Sequence, residues 1–194
     1  MSKRIAIIDG HPDPDRARFC HALADAYAEA AQAAGHEVKR LNLAEIDIPF
    51  LRTRAEWETS MPSLAVKQCQ DAVAFAQHLV IVYPLWLGSM PALVKAFFEQ
   101  VFRPGFAIDT GPRKSPWPGL LRGKSARIVV TMGMPALVYR WFYLAHSLKS
   151  LERNILRFSG IGPIRETLIG NVEGSAGKRL KALEKLRALA ARGE

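Results

Sequence analysis

The sequence is poor in cysteine and in long apolar runs. Its 194 residues include two cysteines, Cys20 and Cys69, without metal-type spacing, so we expect reduced thiols, no disulfide framework and no metal site. The longest apolar run, 79–90, is interrupted by Pro84 and Gly88 and is shorter than the roughly 18–20 residues of a membrane span. We therefore expect a cytoplasmic protein without membrane insertion.

Three familiar sequence signals are also missing. The amino-terminal apolar stretch 5–8 is too short for the core of an export signal. No Gly-x-Gly-x-x-Gly follows it, which counts against a Rossmann dinucleotide fold. The tripeptide Gly-Lys-Ser at 123–125 is similar to the end of a Walker A loop, but Pro118 stands at the position of the first glycine and a predicted strand follows.

Positive charge exceeds negative charge, with a formal net charge of +9. The lysines and arginines are spread along the whole chain and are densest in the last predicted helix, where they alternate with leucines. This distribution favours a solvated helix face over a nucleic-acid surface, so we expect no nucleic-acid partner. The functional interpretation is that positive charge surrounds the entrance of the active site and attracts a phosphorylated cofactor.

Short β-branched runs alternate with longer amphipathic segments, which is typical of a parallel sheet with crossover helices. With 49% hydrophobic residues the chain can form one core, and we predict a single domain over 1–194. The predicted strands are Arg4–Asp9, Glu37–Asn42, His78–Tyr83, Ala126–Met132 and Pro163–Ile169. The predicted helices are Arg16–Ala34, Ser63–Gln77, Pro91–Phe102, Ala136–Phe158 and Gly177–Arg192. Ile46–Met61 and Arg103–Gly123 have no assignment and are expected beside a ligand crevice.

The first predicted strand ends at Asp9, and the turn at 10–18 leads into a helix. Such a turn exposes unpaired N–H groups at the positive end of a helix, where a phosphate can bind. A polar loop with a proline-rigidified helix start is an equally good interpretation of these residues alone.

The segment 82–102 is more specific. A buried strand ends in Pro84, the short loop Leu85-Trp86-Leu87-Gly88 follows, and Pro91 opens a helix. This pattern predicts a flat apolar surface with free backbone amides and carbonyls, which suits one face and the edge of an isoalloxazine ring.

Together with His11-Pro12, Phe19 and Thr131-Met132-Gly133, this segment resembles the NAD(P)H:quinone oxidoreductase branch of the flavodoxin-like superfamily. The resemblance extends from Ile5 to about Gly170. It implies an α/β fold of three layers, with a doubly wound parallel five-stranded sheet in the order 2-1-3-4-5. It also implies a flavin (FMN or FAD), NAD(P)H as co-substrate, a quinone or similar small electrophile reduced in a ping-pong reaction, and a homodimer.

The resemblance assigns site residues as well. In the family a tyrosine eight residues after the threonine lies over the flavin, which makes Tyr139 the catalytic candidate. A family histidine six residues further corresponds in spacing to Ala145, so His146 is a second, displaced candidate. Arg18 and Cys20 replace the family's hydroxyl or amide residues, and Arg18 is expected to bind the phosphate as a charged fork. The implied cofactor-binding residues are His11, Arg18, Phe19, Cys20, Pro84, Leu85, Trp86, Leu87, Gly88, Thr131, Met132, Gly133, Met134 and Tyr139.

Two other functions fit the same resemblance. Relatives of the family associate with glutathione-gated potassium efflux transporters, so the chain is alternatively a flavin-binding ancillary subunit. A one-electron flavodoxin-type carrier is the other alternative, although such carriers are typically acidic. His21, His36 and His78 are interpreted as structural.

Overall fold

The computed structural model describes residues 2–110 and 119–194. Five parallel strands form one sheet in the order β2-β1-β3-β4-β5, which confirms the predicted fold class and strand order. The strands are β1 (Arg4–Asp9), β2 (Glu37–Asn42), β3 (His78–Pro84), β4 (Ser125–Thr131) and β5 (Ile164–Ile169).

Helices cover both faces of the sheet, so the three central strands carry almost continuous apolar runs. The α-helices are α1 (Phe19–Ala33), α2 (Arg54–Glu58), α3 (Leu64–Phe75), α4 (Ala92–Val101), α5 (Ala136–Trp141), α6 (His146–Ser150) and α7 (Ala176–Ala190). Because side chains alternate along a strand, Ile5 and Ile7 pack with α1 and α7, whereas Ile8 and Ile81 pack with α3 and α4.

The predicted single helix Ala136–Phe158 is wrong. The structure has α5, a break, α6 and a π-helical segment, Leu151–Arg157. In the break, Leu144 and Ala145 adopt left-handed backbone conformations with φ of 52° and 49°. The Tyr139 hydroxyl then accepts a hydrogen bond from the Leu148 N–H at 3.2 Å. This side chain therefore caps the first turn of α6 and stabilises the interruption.

The two segments without assignment differ in outcome. Ile46–Met61 contains α2, whose first turn is capped by the Thr53 hydroxyl accepting from the Glu56 N–H at 3.1 Å. In the second segment, Arg103–Gly123, residues 111–118 lie outside the described residues. They include Pro118, which stands at the position of the first Walker A glycine. In the described ranges no helix is long and apolar enough to cross a membrane.

Candidate functional site

The turns that follow β1, β3 and β4 lie side by side at the carboxyl end of the sheet. The Gly10 N–H donates to the Val82 carbonyl at 2.7 Å, and the Leu85 N–H donates to the Thr131 carbonyl, also at 2.7 Å. Gly10 permits this approach, because a Cβ there would lie 2.6 Å from Val94 Cγ2. In parallel α/β folds this edge is where ligands bind.

The first turn, 10–18, is held by side chains that accept hydrogen bonds from its own backbone. The Asp13 N–H donates to His11 Nδ1 at 3.1 Å, the Asp15 N–H to Asp13 Oδ1 at 2.9 Å, and the Ala17 N–H to Asp15 Oδ1 at 3.0 Å. Burial lowers the pKa of His11, and the Asp15 N–H holds the pKa of the Asp13 carboxyl below its usual value. Both pKa shifts favour the unprotonated forms of His11 Nδ1 and the Asp13 carboxyl, which can accept these hydrogen bonds.

Arg18 pairs with the two carboxylates of this turn. Its Nε donates to Asp13 Oδ2 at 2.7 Å, and its Nη2 lies 3.3 Å from Asp15 Oδ2. Arg18 is therefore at the predicted place but already has partners, so a phosphate contact would require the guanidinium to exchange or share them. The pairing also offsets two negative charges that would otherwise oppose an anion here.

The start of α1 has free hydrogen-bond donors. Arg18 is the N-cap residue and its side chain makes no capping bond. Within the described part of the chain, the N–H groups of Phe19 and Cys20 have no acceptor, and the first turn of α1 contains no acidic residue. Unpaired N–H groups at the positive end of a 15-residue helix suit a phosphate.

The second turn presents an aromatic ring beside the first. Trp86 and Ser89 exchange backbone hydrogen bonds at 2.9 Å across a two-residue hairpin formed by Leu87 and Gly88, whose φ values are 47° and 76°. The Trp86 side chain is 47% exposed, and its ring lies edge-on to that of His11 at 5.8 Å between centroids. His11 thus connects the first two turns.

The third turn, after β4, offers backbone rather than side chains. Thr131 and Met132 are buried, and the Thr131 hydroxyl lies 3.3 Å from Cys20 Sγ. The N–H groups of Gly133 and Met134 have no acceptor among the residues the structure describes. Burial raises the pKa of Cys20 to about 12, so its thiol stays protonated and contributes packing, not nucleophilic chemistry.

The two candidates for catalysis are placed differently from these turns. Tyr139 is 2% exposed, and its hydroxyl bonds the Ser147 hydroxyl at 2.7 Å as well as the Leu148 N–H. His146 is exposed at the start of α6. The catalytic roles of both residues stay predictions, and the structure adds the capping role of Tyr139.

Asp9 and His21 form a buried pair that the sequence interpretation did not include. His21 Nδ1 lies 2.6 Å from Asp9 Oδ2, both side chains are 0% exposed, and His21 Nε2 lies 2.9 Å from the Asp13 carbonyl. Arg40 Nη2 is 3.7 Å from Asp9 Oδ2. The one sequence signal was an aspartate closing a strand that is otherwise apolar.

Neither 2–110 nor 119–194 contains a group of three or more histidine, cysteine or acidic side chains that could hold a metal. The three turns instead offer open backbone amides, the guanidinium of Arg18 held by two carboxylates, and the exposed ring of Trp86. Amides and a guanidinium suit a phosphate, and Trp86 and the open backbone at Gly133 suit a flat heterocycle. The residues present therefore fit a phosphorylated aromatic cofactor such as a flavin nucleotide.

Comparison with known proteins agrees with this geometry. A family model described as flavodoxin-like fold matches residues 3–192. The chain is 27% identical over 186 residues to a protein of Haemophilus influenzae named uncharacterized NAD(P)H oxidoreductase, covering 94% of this chain and 91% of that one. It is 27% identical over 194 residues to an FMN-dependent NADH:quinone oxidoreductase of Nitratidesulfovibrio vulgaris, covering 87% and 89%.

Two further similarities have narrower meaning. Over 81 residues, 41% of each chain, there is 35% identity to the glutathione-regulated potassium-efflux system ancillary protein KefG of Cronobacter sakazakii. Among solved structures, the NAD(P)H:quinone oxidoreductase of Methanothermobacter marburgensis has a TM-score of 0.82 at 20% identity, with 99% of this chain and 97% of that chain covered. At that identity the likeness shows the fold.

Proposed function

The chain belongs to the family with the flavodoxin-like fold, and from this premise we propose that it is a flavin-dependent NAD(P)H oxidoreductase that reduces a quinone or a similar small electrophile. The observation that carries the proposal is the meeting of three turns at the carboxyl end of the sheet, with free N–H groups beside an exposed tryptophan. Two full-length relatives with oxidoreductase names support it.

The flavin in this proposal is FMN, one per chain. The relative from Nitratidesulfovibrio vulgaris is FMN-dependent by name, and one phosphate matches the two open amides of Phe19 and Cys20 at the start of α1. When bound, a flavin supplies two-electron transfer between a nicotinamide and an acceptor. The remaining predicted cofactor-binding residues, apart from Tyr139, lie in or beside the three turns, which supports the same role for them.

The protein's own contribution is binding and orientation. The first turn and α1 would hold the phosphate, the His11–Trp86 contact would fix the edge of the ring site, and the open amides of Gly133 and Met134 would donate to an electron-rich ring edge. One exposed face serves nicotinamide and quinone in turn, which is a ping-pong reaction. Correct placement of two flat reactants is the main source of rate in such a site.

A second copy of the chain is part of the proposal. The α5 region exposes a contiguous run of apolar side chains, including Trp141 at 73% and Phe142 at 76% exposure. Exposed apolar clusters of this kind mark interfaces, and a homodimer would cover the cluster. The exposed members are Leu137, Val138, Trp141, Phe142, Tyr143 and Leu144. A cytoplasmic location is also part of the proposal.

The ancillary-subunit alternative keeps flavin binding and drops physiological turnover. The partial similarity to KefG favours the ancillary-subunit alternative over a one-electron carrier, which has no comparable support. Both alternatives predict FMN binding, so turnover has to be measured separately.

Steady-state kinetics test the enzymatic proposal. The protein is reconstituted with FMN and supplied with NADH or NADPH and a soluble benzoquinone. We expect FMN-dependent oxidation of at least one nicotinamide cofactor and parallel double-reciprocal lines when both substrates are varied. An FMN-loaded protein that oxidises neither nucleotide contradicts the proposal, and intersecting lines contradict the ping-pong part alone.

A further inference from the structure

The hydrogen-bond partners of His21 define its protonation. Nδ1 faces the Asp9 carboxyl at 2.6 Å and Nε2 faces the Asp13 carbonyl at 2.9 Å. A peptide carbonyl can only accept, so Nε2 carries hydrogen. One further proton lies between His21 Nδ1 and Asp9 Oδ2, and it is on Nδ1 when the carboxyl is ionised.

Asp9 is tied to the same turn. Its other oxygen, Oδ1, lies 3.5 Å from the backbone nitrogen of His11, at the limit of a hydrogen bond. Arg40 Nη2 lies 3.7 Å from Asp9 Oδ2. The fully buried carboxyl therefore has partners on β2, on α1 and in the turn. A buried charge is stable only when it is paired in this way.

The peptide groups of Asp13 are held from both directions. Its N–H donates to His11 Nδ1, and its C=O accepts from His21 Nε2. The Asp13 side chain in turn accepts from the Asp15 N–H and from Arg18. Asp13 therefore connects the turn to Arg18 and, through His21, to α1.

We propose that the buried Asp9–His21 pair is a positioning device for the cofactor-binding turn, in which the N–H at His21 Nε2 fixes the Asp13 carbonyl and thereby the donors that face the phosphate. His21 is a positioning residue and does not touch the ligand itself. The part of this inference that concerns the phosphate rests on the proposed function, and the part that concerns the turn does not.

Two substitutions separate the two contacts of His21. The side-chain amide of glutamine reaches the position of Nε2, whereas that of asparagine reaches the position of Nδ1. Glutamine therefore keeps the donor to Asp13, and asparagine keeps the contact with Asp9. If the pair served stability alone, His21→Gln, which loses the contact with Asp9, should have a larger effect than His21→Asn.

FMN affinity is measured by fluorescence quenching for wild type, both variants and His78→Gln, which alters a buried histidine at the opposite end of the sheet. We expect dissociation constants within about 3-fold of wild type for His21→Gln and His78→Gln, and a value about 10-fold or more higher for His21→Asn, the loss of one buried hydrogen bond. A weakening by His21→Gln that equals or exceeds the weakening by His21→Asn, or no weakening by either variant, overturns the proposal.

A second measurement uses the flavin-free protein, so it separates this inference from the proposed function. We expect the Asp15 and Ala17 amides, which are bonded to carboxylates of the turn, to exchange slowly with solvent in wild type and His21→Gln and faster in His21→Asn. Equal exchange in the two variants overturns the inference even if FMN binds. If FMN does not bind wild type, the proposed function fails and the exchange pattern still decides about the turn.

Should His21→Asn fail to fold, nitrogen-15 NMR of the wild-type histidines decides. The structure requires hydrogen on Nε2 of His21 and a hydrogen-free Nδ1 on His11. A His21 ring without hydrogen on Nε2 overturns the proposal.

Discussion

Two buried histidines lie at opposite ends of the sheet and have opposite surroundings. His21, at the carboxyl end, is 0% exposed and both its ring nitrogens have partners. His78, at the amino end, is 3% exposed, bonds the Ser125 hydroxyl through Nδ1, and has no partner for Nε2 among the described residues. Burial lowers the pKa of His78 to about 3, helped by nearby positive groups such as Lys3 and Arg127.

The difference shows that burial alone does not identify a functional group. A carboxylate accompanies the histidine at the carboxyl end, where the turns need fixed backbone groups. At the amino end the histidine is surrounded by cations and is kept neutral by its environment. The two ends should therefore respond differently to loss of a partner and to acid.

Removal of the Asp9 carboxyl should have the largest effect. Asp9→Ala leaves His21 without its buried partner, and we expect the free energy of unfolding to fall by about 3–5 kcal/mol, the usual cost of breaking a buried pair. Asp71, in an exposed pair with Lys67, is the matched control, and Asp71→Ala should cost less than about 1 kcal/mol. Urea denaturation measures both. Equal losses would contradict the distinction between the two sites.

Acid should destabilise the amino end through His78. Its pKa is lower in the folded protein than the usual 6.5, so the unfolded chain binds the proton first. The contribution of His78 is complete above pH 6.5 and is lost as the pH falls toward 3. We expect a loss of about 2 kcal/mol between pH 8 and 5 from this group, at about 1.4 kcal/mol per pH unit.

His78→Gln provides the measurement. Denaturation at several pH values should show a flatter acid slope for the variant than for wild type, whatever its stability at neutral pH. Parallel curves would show that His78 titrates normally and would remove the contrast with His21.

Loss of the Tyr139 hydroxyl should lower the stability of the protein, whether or not the hydroxyl takes part in catalysis. Tyr139→Phe leaves the buried Leu148 N–H without its acceptor, and we expect a loss of about 1–2 kcal/mol. Ser147→Ala removes the other partner of the hydroxyl and keeps the cap, so it should cost less. The catalytic hypothesis predicts in addition about 10-fold slower quinone reduction for Tyr139→Phe and not for Ser147→Ala, equivalent to about 1.4 kcal/mol. Normal turnover of both FMN-loaded variants would end that hypothesis.

The sequence predicted the sheet well because its three central strands are apolar on both faces and their ends are marked by Gly10, Pro84 and Gly133. Strand bounds differ by at most one residue from those observed. The break after α5 was not predictable from apolar periodicity, since it depends on two non-glycine residues with left-handed backbone and on a tyrosine that caps the next helix.

The positions of the candidate site residues on three neighbouring turns were predictable from the order of strand, turn and helix, whereas their side-chain partners were not. The pairing of Arg18 with Asp13 and Asp15 depends on the path of the turn. The Asp9–His21 contact joins residues twelve positions apart on two elements. Composition gave no reason to prefer His21 over His36 or His78.

Arg18→Ala should weaken FMN binding by about 1 kcal/mol, near the lower end of the range for a charged hydrogen bond, because the guanidinium already has carboxylate partners. The loss should shrink in high salt. Titrations at low and high ionic strength measure it, with Arg16→Ala as the control, since Arg16 pairs with Asp25 instead. Equal affinities of Arg18→Ala and wild type at low salt would show that the amides bind the phosphate without this side chain.

The smallest expected effect concerns backbone strain. Turns at the amino end use glycine where φ is positive, as at Gly35 and Gly123, whereas the hairpin at the carboxyl end uses Leu87, which is fully exposed. Leu87→Asn should raise the free energy of unfolding by about 0.5 kcal/mol, since asparagine tolerates this conformation better. A decrease in thermal denaturation experiments would show that Leu87 packs favourably despite its exposure.

Flavin binding at the carboxyl end of the sheet is the premise of the proposed function. A fluorescence titration of purified flavin-free protein with FMN and, in parallel, with FAD measures it. We expect saturation at one FMN per chain, weaker binding by His21→Asn and unchanged binding by His78→Gln. If neither flavin binds below about 100 µM, an affinity of roughly 5.5 kcal/mol, the carboxyl end of the sheet is not a flavin site.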